Sequence, residues 1–297
     1  MNASGSNRNE DSDDWAEYAR RIQQAGGVSG GSGIRSEATP QRQRPLRPVR
    51  RGWRGPSPIF LGIVAVAIGS GVALWNELWS PGIVAFVFVV STWVVSLCLH
   101  EFAHALVAYR SGDTSVAHRG YLTLDPLRYT HVVFSIVLPI VFLLLGGIGL
   151  PGGAVFIDHG AIRSRRARSL VSAAGPVTNI AVALLLAVAL AFGQAPTAFW
   201  VSIAFLLFLQ VTAALLNLIP VPGLDGFGII EPYLSNSARA VAARIAPFAV
   251  LGLFALLWIP VINQAFFSGV LAILTALGVP SNYVGAGYYL FRFWTGL

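Results

Sequence analysis

The chain has 297 residues, 55% of them hydrophobic and 11% charged, whereas a soluble domain carries about 25% charged residues. Half of the basic residues lie in positions 1–55, and the rest of the chain keeps only seven acids: Glu77, Glu101, Asp113, Asp125, Asp158, Asp225 and Glu231. This distribution excludes a soluble globular protein and a nucleic-acid reader built on a basic core. It predicts an integral membrane protein in a lipid bilayer, with no nucleic-acid partner. The single cysteine, Cys98, excludes an intramolecular disulfide and a thiolate zinc cage.

In chain order, residues 1–55 are rich in Ser, Gly, Asn, Arg and Pro. They offer too little apolar surface to offset ordering entropy, so a disordered tail is expected. Arg42, Arg44, Arg47, Arg50, Arg51 and Arg54 crowd just ahead of the first apolar run. Such a cluster faces anionic headgroups and keeps the N-terminus cytoplasmic. Residues 56–297 then read as one membrane-embedded, all-α domain. About 20 apolar residues cross the hydrocarbon core, and the predicted spans are 58–78, 82–109, 167–192, 197–219, 242–262 and, more weakly, 263–279. The loose alternation over 115–126 predicts a short hairpin. The apolar stretch 131–150 holds Pro139 and runs into the glycine-rich 146–153; a re-entrant or interfacial segment is expected there.

The second span contains His100-Glu101-Phe102-Ala103-His104. Two histidines at i and i+4 share one helix face about 6 Å apart, so both imidazoles reach one divalent ion. Glu101 follows the first, where its carboxylate can accept a proton from a metal-activated water. Ionisable groups at membrane depth cost about 2.5–3.5 kcal/mol each on insertion scales, and a metal compensates that cost. A catalytic zinc usually takes three protein ligands. Asp225 offers itself as the third, because Pro220, Pro222 and Gly223 force irregular backbone just before it. Such backbone is tolerated at membrane depth only where it lines a protein cavity. Other membrane-bound His-Glu-x-x-His proteases use a downstream Glu instead; Glu231 is the only one here, and it stands as the alternative.

These residues resemble the two signature motifs of the site-2 protease family of intramembrane zinc metalloproteases, in its compact bacterial form without PDZ or CBS domains. Ala174-Gly175-Pro176-Val177-Thr178-Asn179 is similar to that family's Gly-Pro-x-x-Asn element, and 122–127 to a segment that follows its zinc helix. The resemblance covers about residues 58–260. It implies one zinc ion per chain held by His100, His104 and Asp225, with Glu101 as general base. The implied substrate is a membrane-spanning protein, such as an anti-sigma factor or signalling regulator. Asn179 and Asn217 are amides in apolar surroundings, available to hold substrate or oxyanion or to bond between helices. The small run 172–175 permits close approach of its helix to the histidine helix.

Asp225 can meet His100 only if spans 82–109 and 197–219 point the same way, which requires that 131–150 not cross. A metal-binding transporter or channel, or a protease-like client binder that does not cut, stays open as an alternative at this stage; none of these needs a general base.

Overall fold

A computed structural model describes residues 55–129, 155–193 and 195–296. The expected tail over 1–55, apart from Gly55, and the expected re-entrant segment 131–150 fall outside those residues. Among the described residues the architecture is helical: α1 (Pro58–Trp75), α2 (Pro81–Arg110), α3 (Ser115–His118), α4 (Arg165–Ala191), α5 (Ala198–Leu218), α6 (Asp225–Ile230), α7 (Asn236–Leu257), α8 (Pro260–Ala276) and α9 (Ser281–Phe291). Five of these, α1, α2, α4, α5 and α7, are long and apolar enough to cross a membrane.

The helix starts follow local chemistry. Pro58, Pro81 and Pro260 open their helices, where a missing N–H costs nothing and φ is already helical. Ser57, Ser164 and Ser235 cap α1, α4 and α7 by accepting from Phe60, Ala167 and Ala238, each satisfying one otherwise orphaned amide.

The expected sixth span, 263–279, falls on α8, the first limb of a bent pair that makes a sixth span only if its two limbs count as one. Helices α8 and α9 meet at 117°, because Gly278 takes φ +76 and Pro280 cannot continue the ladder. The expected hairpin over 115–126 is absent. That stretch forms α3 and two 3₁₀ turns, Tyr121–Thr123 and Pro126–Arg128. Gly120 and Leu124 sit in the left-handed region at φ +79 and +58, and Asp125 caps the turn that Pro126 starts; neither geometry permits strand pairing.

Helix α5 is the axis of the bundle, with Ala204, Phe205, Leu206, Leu207 and Leu209 all at 0% exposure. It packs against α4 on one side and α9 on another, and α2 lies between α1 and α4. Gly287 of α9 rests on the Val201 carbonyl, where no Cβ fits. Inside the bundle, Ser96 of α2 donates to Gln210 Oε1 of α5 at 2.9 Å, a buried link worth about 0.6 kcal/mol. Trp75, Trp79 and Trp258 are exposed at helix ends, as an aromatic belt requires. Trp93 departs from that pattern and is buried in mid-helix.

Candidate metal centre

His100 and His104 lie on α2, ten and six residues before its last residue, Arg110. At 1.5 Å per residue, His100 is about 15 Å from that helix end and about 28 Å from Pro81. Helix α4 runs antiparallel beside it, so Val171 reaches His104 while Asn179 reaches His100. Asp225 arrives from α5. That helix stops at Leu218, since Pro220 and Pro222 supply no N–H. Gly223 then turns the chain at φ +99, and Gly226 folds back against the Leu218 and Ile219 carbonyls so tightly that a Cβ would overlap them. Asp225 is thereby turned toward α2, and α2 and α5 run the same way, as the sequence required.

The His100 and His104 Nε2 atoms stand 3.1 Å apart. Asp225 presents Oδ2 to His100 at 3.3 Å and Oδ1 to His104 at 3.4 Å. The rings are 4% and 5% exposed. The far nitrogen of each ring is engaged: His104 Nδ1 lies 2.7 Å from the Val171 carbonyl, and His100 Nδ1 3.1 Å from Asn179 Oδ1. Both oxygens are acceptors, so each Nδ1 must donate to them. In the neutral rings that leaves both Nε2 lone pairs free and aimed at Asp225. Three electron-pair donors cannot share so small a space without a cation or proton between them.

Neither protein-family models nor solved structures match the chain. Curated relatives do match. The chain is 46% identical over 246 residues, 81% of its length and 95% of the relative's, to the protein named "Putative zinc metalloprotease Rip2" of Mycobacterium tuberculosis strain H37Rv. The protein of the same name in Mycolicibacterium smegmatis is 45% identical over 258 residues, 84% of this chain and 98% of its own. YwhC of Bacillus subtilis, which carries the same description, is 33% identical over 172 residues, 52% of this chain and 72% of its own.

The chain belongs to the site-2 protease family of zinc metalloproteases.

The donor set of this site-2 protease fits zinc. Donors about 2.0–2.1 Å from a common tetrahedral centre stand about 3.3 Å apart; the two Nε2 atoms are 3.1 Å apart, each faces its own Asp225 oxygen at 3.3 or 3.4 Å, and one donor atom from each residue lies within 4.8 Å of the others. Among the described residues, His100, His104 and Asp225 are the group of side chains whose donor atoms converge in this way; Glu231 is not among them. Glu101 is 2% exposed, with Oε1 3.9 Å from His100 Nε2. Asn217 is buried in the last turn of α5.

Two contributors escaped sequence reading. The Val171 carbonyl, which meets His104 Nδ1, is a backbone group and carries no residue signal. Gly175 is different. The small run 172–175 announced close helix approach, but not that a Cβ on Gly175 would collide with the Nε2 atoms of both histidines.

Proposed function

We propose that this site-2 protease is an intramembrane endopeptidase, in which His100, His104 and Asp225 hold one zinc ion and Glu101 is the general base. It hydrolyses a peptide bond in or beside a transmembrane segment of a membrane-spanning protein. The observation that carries this reading is the convergence of two imidazole nitrogens and one carboxylate within 3.4 Å, about 15 Å inside the end of a membrane-length helix.

Bound zinc would supply Lewis acidity, polarising a carbonyl and lowering the pKa of water toward about 7. Glu101, buried next to the donor cluster, takes the water's proton on its carboxylate and returns it to the departing amine. The substrate helix must unwind locally first, because an intact helix keeps its carbonyls in its own i to i−4 bonds. Asn179 and Asn217 are the two amides assigned to substrate or oxyanion positioning. Asn179 serves there only through its nitrogen, since its oxygen faces His100. Its oxygen also orients the ring, so Asn179→Leu is expected to weaken zinc binding about 10- to 100-fold, read by competition with a chelator of known affinity. Gly175→Ala, which places a methyl against both Nε2 atoms, is expected to lower zinc affinity by about 100-fold or more, with helical content by circular dichroism unchanged.

Arg110 ends α2, Arg119, Arg128 and Arg163 lie between α2 and α4, and Arg165, Arg166 and Arg168 sit in the first turn or so of α4. The positive-inside rule makes that end cytoplasmic. Ser57, just before α1, donates its backbone N–H to the Thr123 carbonyl there, which supports a cytoplasmic N-terminus in a multi-pass bacterial membrane protein. Cysteine labelling at 151–153 tests this orientation: label from the cytoplasmic side is expected, and label from outside alone refutes it. The activity is tested by quantitative proteomics of wild-type against Glu101→Gln cells. Membrane-protein stubs should accumulate in the variant; identical stub populations would sink the reading.

A further inference from the structure

We propose that Ser169 is a positioning residue of the metal centre: its hydroxyl ties α6 to α4 and thereby sets the distance of the Asp225 carboxylate from the two imidazoles. The inference rests on the reading of Asp225 as a zinc ligand given above.

Asp225 is the first residue of α6, a helix of six residues that is too short to be stable on its own. Both of its ends are fastened from outside. At the start, Gly226 is folded onto the Leu218 and Ile219 carbonyls. Near the other end, Ser169 Oγ donates to the Ile229 carbonyl at 2.7 Å. The Ser169 hydroxyl has one proton to give, and the Arg165 carbonyl of its own helix, at 3.3 Å, is the more distant acceptor. The Ile229 carbonyl cannot close a tight bond into the following 3₁₀ turn, because the residue three positions on is Pro232, which has no N–H. Between the two fastenings, Gly228 lies so close to Ser172 that a Cβ would overlap its Oγ.

Helix α4 meets all three donors along one face. Ser169, Ser172, Gly175 and Asn179 follow the three- and four-residue spacing of a single helical stripe. The contacts run along it in order: the Ile229 carbonyl at Ser169, Gly228 at Ser172, both histidine Nε2 atoms at Gly175, and His100 Nδ1 at Asn179. Val171 adds the His104 Nδ1 contact. The imidazoles and the carboxylate belong to different elements, α2 and α6, so α4 is the body against which both are set. Ile229 is four residues from Asp225, about 6 Å of helix. Releasing that end lets the carboxylate tilt away from the imidazoles it faces at 3.3 and 3.4 Å. A misplacement of about 1 Å can cost about a hundredfold in a preorganised site.

The test uses full-length protein in detergent micelles. Zinc affinity is read by competition with a chelator of known affinity, and hydrogen exchange at single amides of the metal-free protein. Ser169→Ala is expected to weaken zinc binding about tenfold. It should also speed exchange about tenfold at the Gly228 and Glu231 amides, which close the turns of α6, while amides around His100 stay slow. Ser169→Thr, which keeps the hydroxyl, should stay within about threefold of the parent in both readouts. In Asp225→Ala protein, adding Ser169→Ala should change the residual zinc affinity less than about twofold, because Ser169 acts only through the carboxylate. Equal tenfold losses in both backgrounds overturn the proposal, as does unchanged zinc affinity in Ser169→Ala, unchanged exchange in α6, or equal loosening around His100. Undiminished zinc affinity in Asp225→Ala alone would instead refute the Asp225 assignment, while the exchange result in α6 would still decide what Ser169 holds.

Discussion

Glu101→Gln is expected to keep zinc at the level of the unaltered protein and to lower peptide hydrolysis by about 10²- to 10⁴-fold, the range general acid–base catalysis supplies. The substitution is nearly isosteric, and Glu101 points no closer than 3.9 Å to His100 Nε2, so the converging donors stay where they are. Only the ability to take and return a proton is lost. Zinc by elemental analysis, with initial rates on a membrane-inserted peptide, separates the two effects. A protein that only carried metal across the bilayer would show no change on losing this base; full transport with no cleavage in the parent protein would replace the hydrolytic reading.

Asp225→Ala should abolish zinc retention after dialysis and reduce cleavage below detection, while Glu231→Ala should alter neither by more than about twofold. The contrast follows from geometry. The Asp225 carboxylate touches both imidazoles at 3.3 and 3.4 Å. Glu231 begins the 3₁₀ turn beyond α6, where its backbone carbonyl accepts from Arg239 Nε at 3.0 Å. Removing Asp225 also leaves two buried nitrogens facing each other with no anionic partner, so one imidazole is expected to swing away. Stoichiometric zinc in Asp225→Ala, and its loss in Glu231→Ala, would reverse the assignment.

The legible part of the site is the part made locally. His100 and His104 meet because four residues make about one helical turn, and Glu101 falls beside them by the same period. Asp225 could be named at a distance because Pro220, Pro222 and Gly223 break α5 in an otherwise apolar stretch. The hairpin expected at 115–126 failed for a local reason too: alternation of apolar residues was weaker than the turn chemistry of Gly120, Asp125 and Pro126. The expected span at 263–279 read composition correctly and missed the break at Gly278–Pro280, which turns α9 back onto α5.

Composition by itself determined that this chain lives in a bilayer, because seven acids in the last four-fifths of the sequence cannot hydrate a soluble surface. Helical periodicity determined which imidazoles share a face. Tertiary structure alone decided which nitrogen of each ring is free, since that depends on a carbonyl at Val171 and an amide at Asn179 brought over by an antiparallel helix. It alone decided that Gly175 must lack a side chain and that Ser169 reaches a carbonyl 60 residues away. Backbone groups and empty space have no letter in a sequence; they acquire meaning only when packing sets them against a side chain.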